Sequence, residues 1–201
     1  KALMFVILTA ARSGEVRGAV WEEIDLAARL WTIPAERMKA SKAHRVPLSD
    51  AAISLLQDMK ALALAAGRTT GKAYVFPSPN SRDPELGSPL SDMTLTAVLR
   101  RLKLEAVPHG FRSTFRDWCA EQTDYPNEVA EMALAHAVSN KVEAAYRRGD
   151  LLVKRQQLMQ DWANYALGQG VGAMTDGHGA GELASTRTAP SHQHNTEGAM
   201  Q

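Results

Sequence analysis

The segment Arg29-Leu30-Trp31-Thr32-Ile33-Pro34, followed after a polar stretch by Arg45-Val46-Pro47-Leu48, decides the fold class. Both short runs are rich in branched and aromatic residues and read as strands. The lysine-rich residues Glu36 to His44 between them read as a loop or hairpin tip. Just upstream, Ala19 to Asp25 reads as a further short strand. These strands interrupt a chain whose remaining periodicity is helical. The expected class is therefore α+β, mainly α: a helical domain with a small antiparallel β-sheet near its N-terminal end.

Working outward, Leu3 to Ala11 is an apolar helix ending near Ser13-Gly14. Beyond the hairpin, Ser49-Asp50 can cap a helix to about Ala66. Residues 67–87 form a loop, with Tyr74-Val75-Phe76 as a short buried piece. Ser91 can cap a helix that places Leu95, Val98, Leu99 and Leu102 on one face. Further helices are expected from His109 to Gln122, from Pro126 to about Ala135, from Ser139 through Tyr146, and from Leu151, capped by Asp150, to about Leu167. Residues 168–201 hold almost no bulky apolar side chain and are expected to form a disordered tail. The domain then spans residues 1–167. It opens at Lys1 inside an apolar pattern, without an initiator Met, so it is expected to be a fragment lacking an upstream domain.

Bulk properties narrow the function. No run of 18 apolar residues exists, so no membrane-spanning helix is expected. The single cysteine, Cys119, excludes an internal disulfide framework and suits a reducing cytoplasm. The net charge is only +1. The tail holds one Lys/Arg against three Asp/Glu, which leaves 22 against 19 in residues 1–167. Any affinity for DNA must then come from local clustering of cations. No carboxylate cluster or His/Cys set at ligand spacing points to a metal, and no phosphate-loop pattern points to a nucleotide. No cofactor is expected.

Three groups of residues could carry chemistry: Thr9-Ala10-Ala11-Arg12-Ser13-Gly14-Glu15, His109-Gly110-Phe111-Arg112, and Leu134-Ala135-His136 with Tyr146 ten residues on. Lys39 and Lys42 lie between the first and second, in the hairpin tip. Taken singly, each has an ordinary reading. Arg12 follows an apolar helix, where a cation meets the helix dipole. His109 and Arg112 share one helix face, at the edge of a core marked by Phe111, Phe115 and Trp118. His136 suits a satisfied structural histidine, Tyr146 a half-buried core tyrosine, and the lysines solvated charges.

Taken in order, these groups resemble the tyrosine recombinases, the phage integrase family. The family pattern is an Arg in a T-x-x-R-x-G-E turn, a Lys in a β-hairpin, H-x-x-R, then L-[GA]-H and a downstream Tyr. Trp21 with Ile24-Asp25, and Val46-Pro47-Leu48-Ser49, match lesser features. Val142 to Arg148 and Met159 to Ala163 look most like integrases of prophages and genomic islands. The resemblance covers about Leu3 to Leu167. Ala135 stands where the family often has Gly.

The resemblance implies a site-specific recombinase that acts on double-stranded DNA in the bacterial cytoplasm, as a homotetramer in the full-length protein. It implies Tyr146 as nucleophile, Arg12 and Arg112 as phosphate clamps, and Lys39 as general acid. It further implies His109 as general acid/base, His136 as a hydrogen-bond donor to the phosphate, and Glu15 as the residue that orients the arginines. Lys39 is preferred to Lys42 by its spacing to Val46-Pro47. The chemistry suits these residue types. Guanidinium forks match phosphate and stay charged. An alkoxide leaving group needs a proton donor. Backbone contacts to DNA are expected from Arg17, Arg37, Lys42, His44, Arg45 and Arg116, with Arg100, Arg101, Lys103, Arg147 and Arg148. Two rival readings are a type IB topoisomerase, told apart by relaxation without strand exchange, and a non-catalytic DNA-binding module, whose function would survive Tyr146→Phe.

Overall fold

The computed structural model describes residues 1–136 and 149–169. The expected helix from Ser139 through Tyr146, and the tail from residue 170 onward, lie outside the described residues. The architecture matches the expected class: seven α-helices among the described residues and one three-stranded antiparallel sheet near the N-terminal end.

Helix α1 (Ala2–Thr9) is apolar on nearly every side, and Phe5, Val6, Leu8 and Thr9 are buried. Such a helix belongs at the centre of a core. It stops at Ala10, short of the expected end, because Ala10 adopts a left-handed conformation with φ 49°. The chain then starts a second, unexpected helix, α2 (Ser13–Arg17).

The sheet has the order β1 (Ile24–Asp25), β2 (Leu30–Ile33), β3 (His44–Pro47). Trp31 pairs with Ile24 on one side and Val46 on the other. The first strand is shorter than expected. Residues 21–23 form a 3₁₀ turn, with the Trp21 and Glu22 amides donating to the carbonyls of Ala73 and Gly71. That stretch is drawn to the 70–75 loop and away from the sheet. Tyr74 forms an isolated bridge with Val20, and Ala73, Val75 and Phe76 are buried, so the short buried piece is present.

Helix α3 (Asp50–Ala65) is capped as expected: the Ser49 hydroxyl accepts from the Ala52 amide. Helix α4 (Thr94–Arg101) begins after Met93, not at a Ser91 cap; Ser91 shares a hydroxyl hydrogen bond with Thr94 instead. Its buried side chains are Leu95 and Leu99, while Leu102 lies past its end, exposed. Helix α5 (Gly110–Gln122) has His109 at its cap, and α6 (Asn127–Ala133) has Pro126 at its cap. Helix α7 (Leu152–Ala166) follows Leu151 in a left-handed conformation. Asp150 does not cap it; its carboxylate is taken by Arg45 and Arg155.

Two apolar clusters form the interior. One joins α1, the sheet and α3 around Phe5, Trp31, Ile33 and Leu56. The other joins α5, α6 and α7 around Phe115, Trp118, Leu158 and Trp162. Phe115 meets Trp162 edge-on at 5.3 Å, and the Trp162 indole donates to the Ile7 carbonyl at 2.7 Å. Helix α1 thus touches both clusters, and the chain leaving it emerges at their seam.

Candidate functional site

Arg12 stands at the seam, in extended conformation, as the residue preceding α2. It therefore sits at a helix start, not at the end of a continuous helix. Glu15, three residues on, is buried and accepts from both the Arg12 amide and its guanidinium Nη1, each at 2.8 Å. This is the carboxylate half of a capping box, in which Arg12 only donates and Glu15 fixes its side chain as well. The guanidinium stays partly exposed.

Arg112 lies behind it on α5 and is only 4% exposed. Nη1 donates to the Ala10 carbonyl at 2.5 Å and Nη2 to the Leu134 carbonyl at 2.6 Å. Both carbonyls sit where helices end, and a buried arginine has five donors to satisfy. Burial, and then the positive charge of Arg12, pull the Arg112 guanidinium down to about 10, with Glu15 opposing. It remains a cation at neutral pH. The Glu15 carboxylate, paired with Arg12, is the anion that offsets this repulsion.

An open cleft of about 590 Å³ begins at Arg12 and is lined by Glu15, Arg37, Met38, Lys39 and His109, among others. Met38 is buried beneath the hairpin and fixes its root, so the next residue, Lys39, emerges on the cleft wall. Lys42 is exposed beyond the turn and does not line the cleft. His109 is exposed at the start of α5, three residues before Arg112.

His136 follows α6, where Leu134 ends the helix and Ala135 turns left-handed at φ 50°. Its Nε2 lies 3.3 Å from Arg112 Nη2, and its Nδ1 2.7 Å from Glu131 Oε2. Arg116 donates from Nε to the other Glu131 oxygen at 2.5 Å. Burial alone would raise the Glu131 carboxyl, but the hydrogen bonds from His136 and Arg116 outweigh it and hold the group below its ordinary range.

Arg12, Lys39 and His109 thus share a cleft, whereas Arg112 and His136 contact one another and are not among its lining residues. Tyr146 lies outside the described residues. Two residues gain a place that sequence reading missed. Arg37, expected only as a backbone contact, reaches the cleft, where it pairs with Glu23 and donates to the Glu15 carbonyl. Gly18 leaves it room: a Cβ there would stand 2.9 Å from Arg37 Nη2. Glu131 carried no signal in sequence, since its spacing of five from His136 is not a helical repeat.

Other expected DNA contacts are engaged internally. His44 is largely buried, its Nε2 donating to the Ala133 carbonyl at 3.2 Å. Burial, then the charge of Arg155, lower it to about 4, so it is neutral and structural. Arg45 pairs with Asp150, Arg116 with Glu131, and Arg17 donates to the Leu90 carbonyl.

Comparison with known proteins adds an independent line. The family model described as "Phage integrase family" matches residues 1–151. The chain is 39% identical over 166 residues to the prophage integrase IntA of Escherichia coli K12, covering 80% of this chain and 37% of that protein. It is 33% identical to the integrase of Enterobacteria phage P4 over 181 residues, covering 82% and 39%. It is 31% identical to the integrase of Shigella phage Sf6, covering 78% and 39%. The chain spans about two-fifths of the length of these relatives. No solved structure matches it. With the family model covering three-quarters of the chain, this protein belongs to the phage integrase family.

Proposed function

We propose that residues 1–167 are the catalytic domain of a site-specific DNA recombinase, which breaks and rejoins double-stranded DNA through a covalent 3′-phosphotyrosine. The observation that carries this reading is the convergence of Arg12, Lys39 and His109 on one cleft, with Arg112 hydrogen-bonded to the carbonyl of Ala10, two residues before Arg12.

The scissile phosphate binds against Arg12 and the unused donors of Arg112, with His136 donating to a non-bridging oxygen. The Tyr146 phenol oxygen attacks phosphorus and its proton passes to His109. The P–O5′ bond breaks, and the leaving oxygen takes a proton from the Lys39 ammonium. The new phosphotyrosine conserves the bond energy, so a second 5′ hydroxyl reverses the steps without a nucleotide. Two guanidinium groups stabilise the charge that develops on phosphate, the part a metal ion plays in other nucleases. In the full-length protein four such domains work on two duplexes in the cytoplasm. Among the described residues no helix is long and apolar enough to cross a membrane.

The test is incubation with a nicked suicide DNA duplex carrying the protein's own attachment site, in EDTA, followed by a denaturing gel. A covalent adduct that Tyr146→Phe abolishes supports the reading; an adduct that persists in that variant, or requires added metal, overturns it. Strand exchange between two sites separates a recombinase from an enzyme that only relaxes DNA.

A further inference from the structure

The two ring nitrogens of His136 face groups of opposite hydrogen-bonding character. Nδ1 lies against Glu131 Oε2 at 2.7 Å, and Nε2 faces Arg112 Nη2 at 3.3 Å. A carboxylate can only accept and a guanidinium can only donate. A neutral ring satisfies both in one way: the proton sits on Nδ1 and the lone pair on Nε2. Glu131 is itself held from two sides. Its second oxygen accepts from Arg116 Nε at 2.5 Å, and its backbone carbonyl accepts from the His136 amide at 3.0 Å. One residue on α6 therefore sets both the position of the His136 backbone and the plane of its ring.

We propose that Glu131 is a positioning residue for strand cleavage, which locks His136 in the Nδ1–H form and turns Nε2 toward the phosphate held by Arg112. This rests on the reading of Arg112 as a phosphate ligand. To engage an anionic oxygen, Nε2 takes a proton from solvent while Nδ1 keeps its own. The charged groups around the ring are then Glu131 from α6, and Arg112 and Arg116 from α5. Glu131 supplies the negative charge of that set and balances the imidazolium between two arginines. A histidine held by carboxylate on one nitrogen and presenting the other is a recurrent way of fixing tautomer and aim.

Ring-nitrogen NMR of the full chain, single-turnover adduct formation on the suicide duplex and DNA affinity together test the proposal. Wild-type protein and Glu131→Gln, which keeps an acceptor, are expected to show His136 as Nδ1–H. Glu131→Leu is expected to shift the ring toward Nε2–H and to slow adduct formation by ~10–100-fold, as loss of a supporting partner does elsewhere. DNA affinity should change by less than about twofold, a split that a general loss of structure would not give. If Glu131→Leu does not fold, Glu131→Asp keeps the charge but withdraws the acceptor by one methylene, and should show the same shift in weaker form. A wild-type His136 protonated on Nε2 alone would overturn the proposal. So would a leucine or aspartate variant that keeps the wild-type tautomer, or rate and affinity falling together in step. Should wild-type protein form no adduct at all, the recombinase reading fails, while the ring tautomers still decide whether Glu131 orients His136.

Discussion

Glu15 grips Arg12 at two points, accepting from its backbone amide and from its guanidinium Nη1, each at 2.8 Å. The same carboxylate starts helix α2 and aims the cation into the cleft. Glu15→Ala is expected to cost about 1–3 kcal/mol of stability, since a buried charge-assisted pair is lost. Adduct formation should slow by at least tenfold. Urea unfolding and single-turnover cleavage measure the two effects separately.

Arg112→Lys retains a positive charge but cannot reach the Ala10 and Leu134 carbonyls together and still offer donors to phosphate. Cleavage should fall by at least ~100-fold, which corresponds to about 2.7 kcal/mol of lost transition-state binding. A lysine variant with wild-type single-turnover kinetics would show that bidentate geometry is not needed.

Lys39 lines the cleft and Lys42 does not. Lys39→Ala should reduce cleavage by ~10²–10⁴-fold, the usual contribution of a general acid. Lys42→Ala should stay within a few-fold of wild type. A duplex with sulfur in place of the leaving 5′ oxygen needs no proton donor and should restore the Lys39 variant selectively.

The class of the fold and the order of the candidate residues could be read along the chain, because hairpin alternation and helical periodicity are local signals. Ser49 before α3 and the apolar run of α1 illustrate this. The failures were those set by tertiary partners. Ala10 turns left-handed where propensity favours continued helix, and its freed carbonyl receives Arg112 from 102 residues away. Trp21 and Glu22 leave the strand pattern because the 70–75 loop offers them carbonyls. Asp150 looked like a cap, yet two arginines claim it. His44 reads as a DNA contact in a basic hairpin, yet its ring is turned to the Ala133 carbonyl.

His44 gives a pH prediction. It is neutral in the folded protein, held down to about 4 by burial and by Arg155, whereas an unfolded histidine titrates near 6.5. Between those values the unfolded chain binds more protons, so stability is full above about pH 6.5 and is lost as pH falls toward 4. The loss should approach roughly 3 kcal/mol. His44→Gln, which can still donate to the Ala133 carbonyl, should flatten the curve in that window. Denaturant unfolding at pH 7, 5.5 and 4.5 measures the slope.

Arg155 is 1% exposed and donates to the carbonyls of Arg45 and Asp150 as well as to the Asp150 carboxylate. It ties the start of α7 to β3. Arg155→Met should destabilise the protein by about 2–4 kcal/mol, because those acceptors lose their partner inside the fold. Arg155→Lys should recover less than half of that. A shift of the urea midpoint at constant slope is the expected signature.

The Arg112 guanidinium closes on the carbonyls where α1 and α6 end, and both Ala10 and Leu134 are buried in the cluster built around α5, α6 and α7. Ala11, the next residue after Ala10, is packed in the other cluster, so the backbone leading to Arg12 crosses from one half of the interior to the other. A substitution that loosens either half should therefore disturb the spacing of Arg12 and Arg112 even where it touches neither.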